Sequence, residues 1–244
     1  MSQQPFQFKK FKVHQDRCAM KIGTDGVLLG AWSSIEHEPK SILDIGAGTG
    51  VIALQLAQRS SASTIDAIEI DDQAHEQCTH NFEHSDWADR LFCYHASVQE
   101  FASEMKHKYD LIVSNPPFFK APKNTGSQTQ NTSQERAVAR FTDTLPFTHL
   151  VVCAAHLLSQ NGVFSTILPQ PEVASFIEIA AQNKLFLSKI CTIRGTKTSK
   201  IKRCLLAFST HQSKPKTQEL TIEISRHNYT QEYKNLVSDF YVKM

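Results

Sequence analysis

The tetrapeptide Asn115-Pro116-Pro117-Phe118 carries the clearest chemical potential in this chain, and it follows the apolar run 109–114. The Asn115 side chain offers a carbonyl acceptor, and Pro116 lacks an N–H but keeps its C=O, so two acceptors can converge on one amino group. Phe118 can stack on the ring that carries this group. With both hydrogens held, the nitrogen lone pair is free to attack an electrophilic carbon without a metal. The alternative is a simple strand end, because Asn and Pro-Pro are common in turns.

A glycine-rich turn upstream predicts a second part of the same site. Residues 41–50 are typical of a strand and a tight turn, and residues 51–59 repeat apolar side chains at helical spacing. Gly46, Gly48 and Gly50 permit positive φ and let a ligand lie against bare backbone at the carboxyl edge of a parallel sheet. The dinucleotide fingerprint needs Gly or Ala directly after Gly50, where this chain has Val. A nucleoside without a pyrophosphate therefore fits better than a nicotinamide cofactor.

An acidic residue ends the next strand and extends this pattern. The strand 64–70 carries Glu69 about 20 residues after the turn, the distance at which a carboxylate meets ribose hydroxyls. The alternative is that Glu69 only caps the helix that starts near Asp71. Strand, glycine turn, helix, strand and acid together indicate a nucleoside site.

Alternating strands and helices predict an α/β fold that positions these residues. Further strands are expected at 91–95, 109–114 and 162–168, with helices between them, and the last two strands, 186–193 and 201–209, form an antiparallel hairpin. Right-handed crossovers then give a mostly parallel sheet covered by helices on both faces.

Composition sets limits on the class of protein. With 244 residues, of which 41% are hydrophobic, the chain suits one α/β domain with a buried core. Its six cysteines are scattered without a Cys-x-x-Cys pair, which favours neither a zinc site nor disulfides and is typical of a reducing, cytoplasmic compartment. We expect no metal, no membrane span and no obligate protein partner.

The positive charges are unevenly distributed, although the net charge is only +2. Uneven basic charge is typical of a surface that takes nucleic-acid phosphates, whereas the alternative is a hairpin tip that is merely solvated. The candidate phosphate-binding cations lie in an N-terminal run and in the C-terminal hairpin: Lys9, Lys10, Lys12, Arg194, Lys197, Lys200, Lys202 and Arg203.

Together these motifs resemble the class I S-adenosylmethionine-dependent methyltransferases, and Asn-Pro-Pro-Phe resembles the branch that methylates exocyclic or amide nitrogens. Three further segments, 8–13, 18–32 and 229–243, resemble the bacterial tRNA1(Val) (adenine(37)-N6)-methyltransferase family, and this match covers nearly the whole chain. The resemblance implies transfer of a methyl group from S-adenosylmethionine to N6 of adenine 37, which lies 3′ of the anticodon.

The resemblance also implies a Rossmann-like sheet of seven strands in the order 3-2-1-4-5-7-6 and a set of site residues. The implied catalytic residues are Asn115, Pro116, Pro117 and Phe118. The implied cofactor-binding residues are Thr24, Asp25, Asp44, Gly46, Gly48, Gly50, Glu69, Ile70, Ser97 and Asn115. Ser97 departs from the family class, which often has an acid there that touches the adenine of the cofactor.

The implied organisation has three parts: an N-terminal arm or flap (1–37), a methyltransferase domain (38–210) and a C-terminal extension that packs on the core (211–244). A polar loop at 122–136 is expected to act as a lid or to touch the substrate. Two other functions stay open. A protein-glutamine methyltransferase would use the same two acceptors, and a non-catalytic RNA adaptor would bind the cofactor without using them.

Overall fold

The computed structural model describes residues 4–117 and 146–243. Phe118 and the predicted 122–136 loop lie outside these residues. The strands are β1 (Phe6–Gln7), β2 (Lys12–Val13), β3 (Ser41–Ile45), β4 (Thr64–Glu69), β5 (Leu91–His95), β6 (Tyr109–Ser114), β7 (Leu158–Pro169), β8 (Phe186–Thr196), β9 (Ile201–Ser209), β10 (Lys216–Ser225) and β11 (Asn228–Tyr229). The helices are α1 (Thr24–Trp32), α2 (Val51–Arg59), α3 (Asp72–Glu83), α4 (Val98–Glu104), α5 (Phe147–Leu157), α6 (Val173–Gln182) and α7 (Gln231–Val237), with a 3₁₀ turn at Gln170–Glu172.

Nine of these strands form one sheet in the order β5-β4-β3-β6-β7-β9-β8-β10-β11. The strands from β5 to β7 pair in parallel, whereas β9 is antiparallel to both β7 and β8. This arrangement confirms the predicted fold class, and the first seven strands follow the order that the family resemblance implied. The sheet is wider than predicted, because β10 pairs in parallel with β8 and carries β11 at its outer edge.

Helices cover both faces of the sheet, as the mostly apolar strands require. Helices α1, α2, α3 and α7 share one apolar core with side chains such as Ile42 and Leu205. Helices α4, α5 and α6 share the other core with the intervening side chains, such as Leu43 and Leu206. The alternation of side chains along each strand therefore decides which helical layer a residue meets.

The two chain ends meet on the face that carries α1 and α2. Phe8 is fully buried and stacks on Phe11 at 4.6 Å between ring centroids and on Tyr241 at 5.9 Å. An isolated bridge also pairs Phe8 with Tyr241. The aromatic residues of the arm and of the C-terminal extension therefore pack on each other. The predicted boundaries at residues 37 and 210 stay predictions.

Candidate active site

The glycine turn connects β3 to α2 at the carboxyl edge of the sheet. Gly46, Gly48 and Gly50 have φ values of 72°, 56° and 77°, which L side chains rarely adopt. No atom lies within 4 Å of a Cβ built on Gly46 or Gly48. Open space beside bare backbone is what a ligand needs for close approach. The turn therefore fits the nucleoside-containing cofactor that the sequence predicted.

Gly50 has a different reason to be glycine. A Cβ there would lie 2.6 Å from Phe82 Cε1 and 2.8 Å from Cys78 Sγ, both on α3. The absence of a side chain thus lets α3 pack against the first turn of α2. Sequence reasoning grouped Gly50 with the cofactor-binding glycines, and the structure gives it a packing role. Direct contact with the cofactor stays a prediction.

Glu69 holds the glycine turn from the end of β4. Its Oε2 accepts the Gly48 N–H at 2.8 Å, and its Oε1 accepts the N–H groups of Ile70 at 2.8 Å and Asp71 at 3.0 Å. The alternative role as helix cap belongs to Asp71, whose side chain accepts the Ala74 N–H at 2.8 Å. A carboxylate has about four acceptor positions, so ribose contact by Glu69 stays a prediction.

Asp44 is fully buried at the end of β3, directly before the turn. Its Oδ2 accepts the Ala53 N–H at 3.2 Å, and its Oδ1 is buried without a hydrogen-bond partner among the described residues. Burial raises the pKa of Asp44 to about 7; the Ala53 hydrogen bond acts in the opposite direction, and the charge of Glu69 adds to the rise. The site therefore contains an acid with one unused acceptor, a chemical fit for a cationic group of a cofactor.

Asn115 follows β6, whose last residue pairs with the last residue of β3. Ile45 lies opposite Ser114 in the register, and Ser114 Oγ donates to Ile45 O at 2.9 Å. Asn115 and the glycine turn therefore leave neighbouring strand ends. Asn115 Oδ1 is buried and has no hydrogen-bond partner among the described residues. Pro116 and Pro117 follow without regular secondary structure.

Two further predicted cofactor residues lie near the ends of β4 and β5. Ile70 is 58% exposed, so an apolar surface is available beside Glu69. Ser97 caps α4: its Oγ accepts the Glu100 N–H at 3.2 Å and donates to Glu100 Oε2 at 2.7 Å. This capping box already uses the Ser97 hydroxyl as donor and acceptor. Contact between either residue and a cofactor stays a prediction.

The predicted flap residues Thr24 and Asp25 form the first turn of α1. Asp25 does not extend into solvent: its Oδ2 accepts a hydrogen bond from Arg203 Nε at 2.7 Å. The structure thereby joins a predicted cofactor residue to a predicted tRNA-binding residue. These two residues are 178 positions apart in the chain, and no sequence pattern connected them.

The basic hairpin projects from the same edge of the sheet as the glycine turn. Arg203 pairs with Pro169 at the carboxyl end of β7, so residues 197–200 extend beyond that edge. Lys197, Lys200 and Lys202 are exposed, whereas Arg194 Nη2 lies 3.5 Å from Glu219 Oε2. The hairpin therefore presents three exposed lysines close to the strand ends that carry the candidate site.

The N-terminal lysines lie elsewhere. Lys9 Nζ donates to Ser238 O at 2.6 Å. Lys9 and Lys10 line an open cavity of about 520 Å³ together with Arg59, at the end of α2. Because α2 runs away from the glycine turn, this cavity is at the opposite edge of the sheet. The structure does not bring these lysines together with the hairpin, and tRNA contact by Lys9, Lys10 and the exposed Lys12 stays a prediction.

Asn81 is a residue that sequence reasoning missed. Its Nδ2 donates to Thr49 O and to His14 O, both at 2.9 Å, and its Oδ1 accepts the His14 N–H at 2.9 Å. One side chain thus connects the N-terminal arm to the glycine turn. The sequence did contain a sign of this role, because Asn81 and Gln77 are polar residues at positions where the helical spacing of α3 predicts buried apolar side chains.

No group of three or more His, Cys, Asp or Glu side chains in 4–117 and 146–243 could hold a metal ion. Within the same residues, every helix is too short or too polar to cross a bilayer.

Comparisons with known proteins identify the family of the chain. The family model described as Methyltransferase small domain matches residues 23–144. A tRNA1(Val) (adenine(37)-N6)-methyltransferase from Christiangramia forsetii is 56% identical, and the alignment covers 100% of both chains. The protein of the same name from Flavobacterium psychrophilum is 53% identical, with 98% of this chain and 100% of its own length covered.

Solved structures share the fold at low sequence identity. A predicted O-methyltransferase from Agrobacterium tumefaciens matches with a TM-score of 0.67 at 17% identity, covering 88% of this chain and 96% of its own. A putative class I S-adenosylmethionine-dependent methyltransferase from Listeria monocytogenes gives a TM-score of 0.53 at 13% identity, covering 80% of this chain and 62% of its own.

The sheet order and the glycine turn, together with the methyltransferase family model and the full-length relatives, define a class I S-adenosylmethionine-dependent methyltransferase. Within that class, the sequence identity over the full length places the chain more narrowly. The chain belongs to the tRNA1(Val) (adenine(37)-N6)-methyltransferase family.

Proposed function

We propose that this protein transfers a methyl group from S-adenosylmethionine to N6 of adenine 37 in tRNA1(Val). The observation that carries the proposal is Asn115 Oδ1, which lies at the strand end next to the glycine turn and is buried without a hydrogen-bond partner among the described residues. An unmet buried acceptor is costly in a folded protein, and a substrate amino group can satisfy it. The names of the full-length relatives supply the particular tRNA.

Asn115 and Pro116 prepare the amine by hydrogen bonding. Asn115 Oδ1 and the Pro116 carbonyl each accept one hydrogen of the exocyclic amino group, and the nitrogen lone pair is thereby directed away from both acceptors. The β6 strand fixes Asn115 in place through Ser114, which is fully buried and bonded to Ile45. Preorganised acceptors cost no rearrangement during the reaction, which is why they contribute to the rate.

The cofactor side of the site is built from the ends of β3 and β4. S-adenosylmethionine, when bound, supplies an electrophilic methyl group on a positively charged sulfur. Gly46 and Gly48 leave space for its close approach, and Glu69 holds the turn by accepting the Gly48 N–H. The buried Asp44 offers Oδ1 to a cationic group of the cofactor. Because these residues and Asn115 leave neighbouring strand ends, the donor and the amine can be held within reacting distance.

The exposed lysines of the hairpin support a nucleic-acid substrate over a glutamine side chain. Lys197, Lys200 and Lys202 can neutralise phosphates, whereas a protein-glutamine substrate provides no reason for a basic projection at this edge. An anticodon-loop adenine is also unpaired, so presenting its amino group costs less than extracting a base from a duplex.

We further propose that the enzyme acts in the cytoplasm. Its six cysteines are all free thiols, which is typical of a reducing compartment.

The deciding experiment is methyl transfer from radiolabelled S-adenosylmethionine to three separate substrates: fractionated tRNA, bulk rRNA and total protein. Nucleoside analysis should find N6-methyladenosine in the tRNA1(Val) fraction. Transcripts of that tRNA with adenine 37 replaced by guanine provide the matched control and should accept no label. Label in glutamine would support the alternative enzyme, and cofactor binding without any transfer would support a non-catalytic adaptor.

The Asn115→Ala variant tests the amine slot directly. Its cofactor affinity should fall much less than its rate, because the Asn115 Oδ1 acceptor is placed for the amine and not for the methyl donor. Its single-turnover rate should fall on the order of 10²-fold or more, the usual cost of one preorganised hydrogen-bonding group. Near-normal turnover in this variant would remove the structural basis of the proposal.

A further inference from the structure

An ion pair joins the basic hairpin to the first turn of α1. Arg203 Nε donates to Asp25 Oδ2 at 2.7 Å, and the two side chains are only 35% and 27% exposed. Arg203 Nη1 also donates to Lys202 O at 3.1 Å. The pair is shielded more than a fully exposed one, so it holds a defined geometry with less screening by salt.

A β-bulge lies directly before Arg203 in β9. Ile193 pairs with Arg203, but the next residue, Arg194, pairs with Ile201, so Lys202 is an extra residue on β9. Bulges re-aim side chains and are frequent beside active sites. Side chains before the bulge and side chains after it therefore alternate between the two faces of the sheet in different registers.

After the bulge, the alternation places Arg203 on the face that carries α1. Leu205 and Ala207 belong to the apolar core shared with α1 and α2, whereas Cys204 and Leu206 belong to the opposite core. Arg203 is two positions before Leu205, so its side chain lies on the same face of the sheet as Leu205 and Ala207. Among the hairpin cations, this arginine is thereby directed toward α1, and its Asp25 bond follows from that placement.

The first turn of α1 lies directly beside the glycine turn. A Cβ on Gly26 would be 3.5 Å from Cγ1 of Val51, the first residue of α2. Asp25 is the neighbour of Gly26 and lies in the first turn, where the helix dipole favours a negative charge. The N-cap residue Gly23 has no side chain and makes no capping bond. Arg203 therefore provides a fixed polar contact for a helix start that lacks a cap.

We propose that Arg203 is a positioning residue of the cofactor site: it holds the Asp25 carboxylate beside the glycine turn for the ammonium group of S-adenosylmethionine. The inference rests on the proposed function for the identity of this ligand. A carboxylate accepts several hydrogen bonds, so Arg203 and the cofactor do not compete for Asp25. This role differs from the phosphate contact that the sequence predicted for Arg203.

The test measures cofactor affinity by calorimetry in the absence of tRNA. Arg203→Ala should raise the Kd for S-adenosylmethionine about tenfold, the lower part of the range for a charge-assisted hydrogen bond because the pair is partly exposed. Arg203→Lys should recover part of the loss, since it keeps the charge but not the directed Nε–H donor. Thermal melting of each variant shows whether it is folded, and the isosteric Asp25→Asn variant tests the same contact from the other side.

A double-mutant cycle separates positioning from independent binding roles. If Arg203 acts through Asp25, the double variant Asp25→Asn/Arg203→Ala should bind the cofactor no more weakly than Asp25→Asn alone. Independent roles would multiply to a loss of about 100-fold. Multiplicative losses would therefore overturn the proposal.

Lys202→Ala is the matched control, because it removes the neighbouring cation, which is exposed. It should leave the Kd for S-adenosylmethionine unchanged while lowering the salt dependence of tRNA binding. Arg203→Ala should show the reverse pattern. An Arg203→Ala variant with cofactor affinity within twofold of the wild type and a flatter tRNA salt slope would return Arg203 to the phosphate-binding surface.

The outcome is independent of the particular RNA substrate. Wild-type protein that binds S-adenosylmethionine but methylates no tRNA would contradict the proposed function, and the Arg203 cycle would still decide the positioning role. Wild-type protein that does not bind S-adenosylmethionine would contradict both.

Discussion

Asp44 should couple cofactor binding to the release of a proton. The carboxyl group is fully buried, one oxygen accepts the Ala53 N–H, and the other has no hydrogen-bond partner among the described residues. Burial raises the pKa of Asp44 from 3.8 to about 7, so both protonation states are populated near neutral pH. A cationic group bound at Oδ1 would favour the ionised state and lower that pKa.

The expected magnitude follows from this pKa. Binding S-adenosylmethionine should release about half a proton at pH 7, nearly one at pH 6 and close to none at pH 8. Below pH 7, the Kd should therefore rise up to about tenfold for each unit by which the pH falls. The Asp44→Asn variant keeps the shape and an acceptor for Ala53 but cannot ionise. It should bind more weakly and lose this component of the pH dependence.

Calorimetry at several pH values, in buffers with different ionisation enthalpies, measures the number of protons released. Subtracting the Asp44→Asn result removes the protons contributed by the ligand and by other groups. Equal proton release by the wild type and the variant at pH 6 and pH 7 would refute the reasoning. It would show that Asp44 serves the backbone of α2 and not the cofactor.

The same pKa has a consequence for the free energy of unfolding. The pKa of Asp44 in the folded protein is above its value in the unfolded chain. The contribution of Asp44 to the free energy of unfolding is therefore fully present below about pH 4 and is lost as the pH rises through about 7. A rise of about three units corresponds to roughly 4 kcal/mol. Without cofactor, Asp44→Asn should therefore reduce the loss of stability between these pH values, as measured by urea unfolding.

Three other outcomes are expected from the structure. Gly50→Ala should lower the free energy of unfolding by about 1–3 kcal/mol, because its Cβ would overlap side chains of α3; unchanged melting would contradict this packing role. Replacing Lys197 and Lys200 with alanine should flatten the log–log salt slope of tRNA binding by somewhat under two units, and an unchanged slope would mark the hairpin tip as merely solvated. Tyr109→Phe removes the 2.5 Å hydrogen bond from the Tyr109 hydroxyl to the buried Asp66 carboxylate, so urea unfolding should show a loss of about 1–3 kcal/mol; a stability equal to that of the wild type would mean that the bond contributes nothing net.

The local parts of the active site could be predicted from the sequence. The strand before Gly46, the helix after Gly50 and the strand that ends at Ser114 each follow from apolar spacing and from the residues that end it. Parallel strands in an open α/β sheet place their carboxyl ends at one edge, so Glu69 and Asn115 had to lie near the glycine turn. These features follow from local patterns and from a general rule of open α/β sheets, and a sequence shows both directly.

Contacts between distant segments were decided only by the tertiary structure. The sequence showed Gly50 as one of three similar glycines, but its role depends on α3 packing against it. The sequence placed Lys9 and Lys200 in one basic set, whereas the path of α2 places Lys9 at the opposite edge of the sheet. Arg203 was one of five hairpin cations until the alternation of side chains along β9 placed it on the face of α1, where it binds Asp25. Register and burial depend on the whole sheet, because a shift of one residue changes the face that every side chain meets.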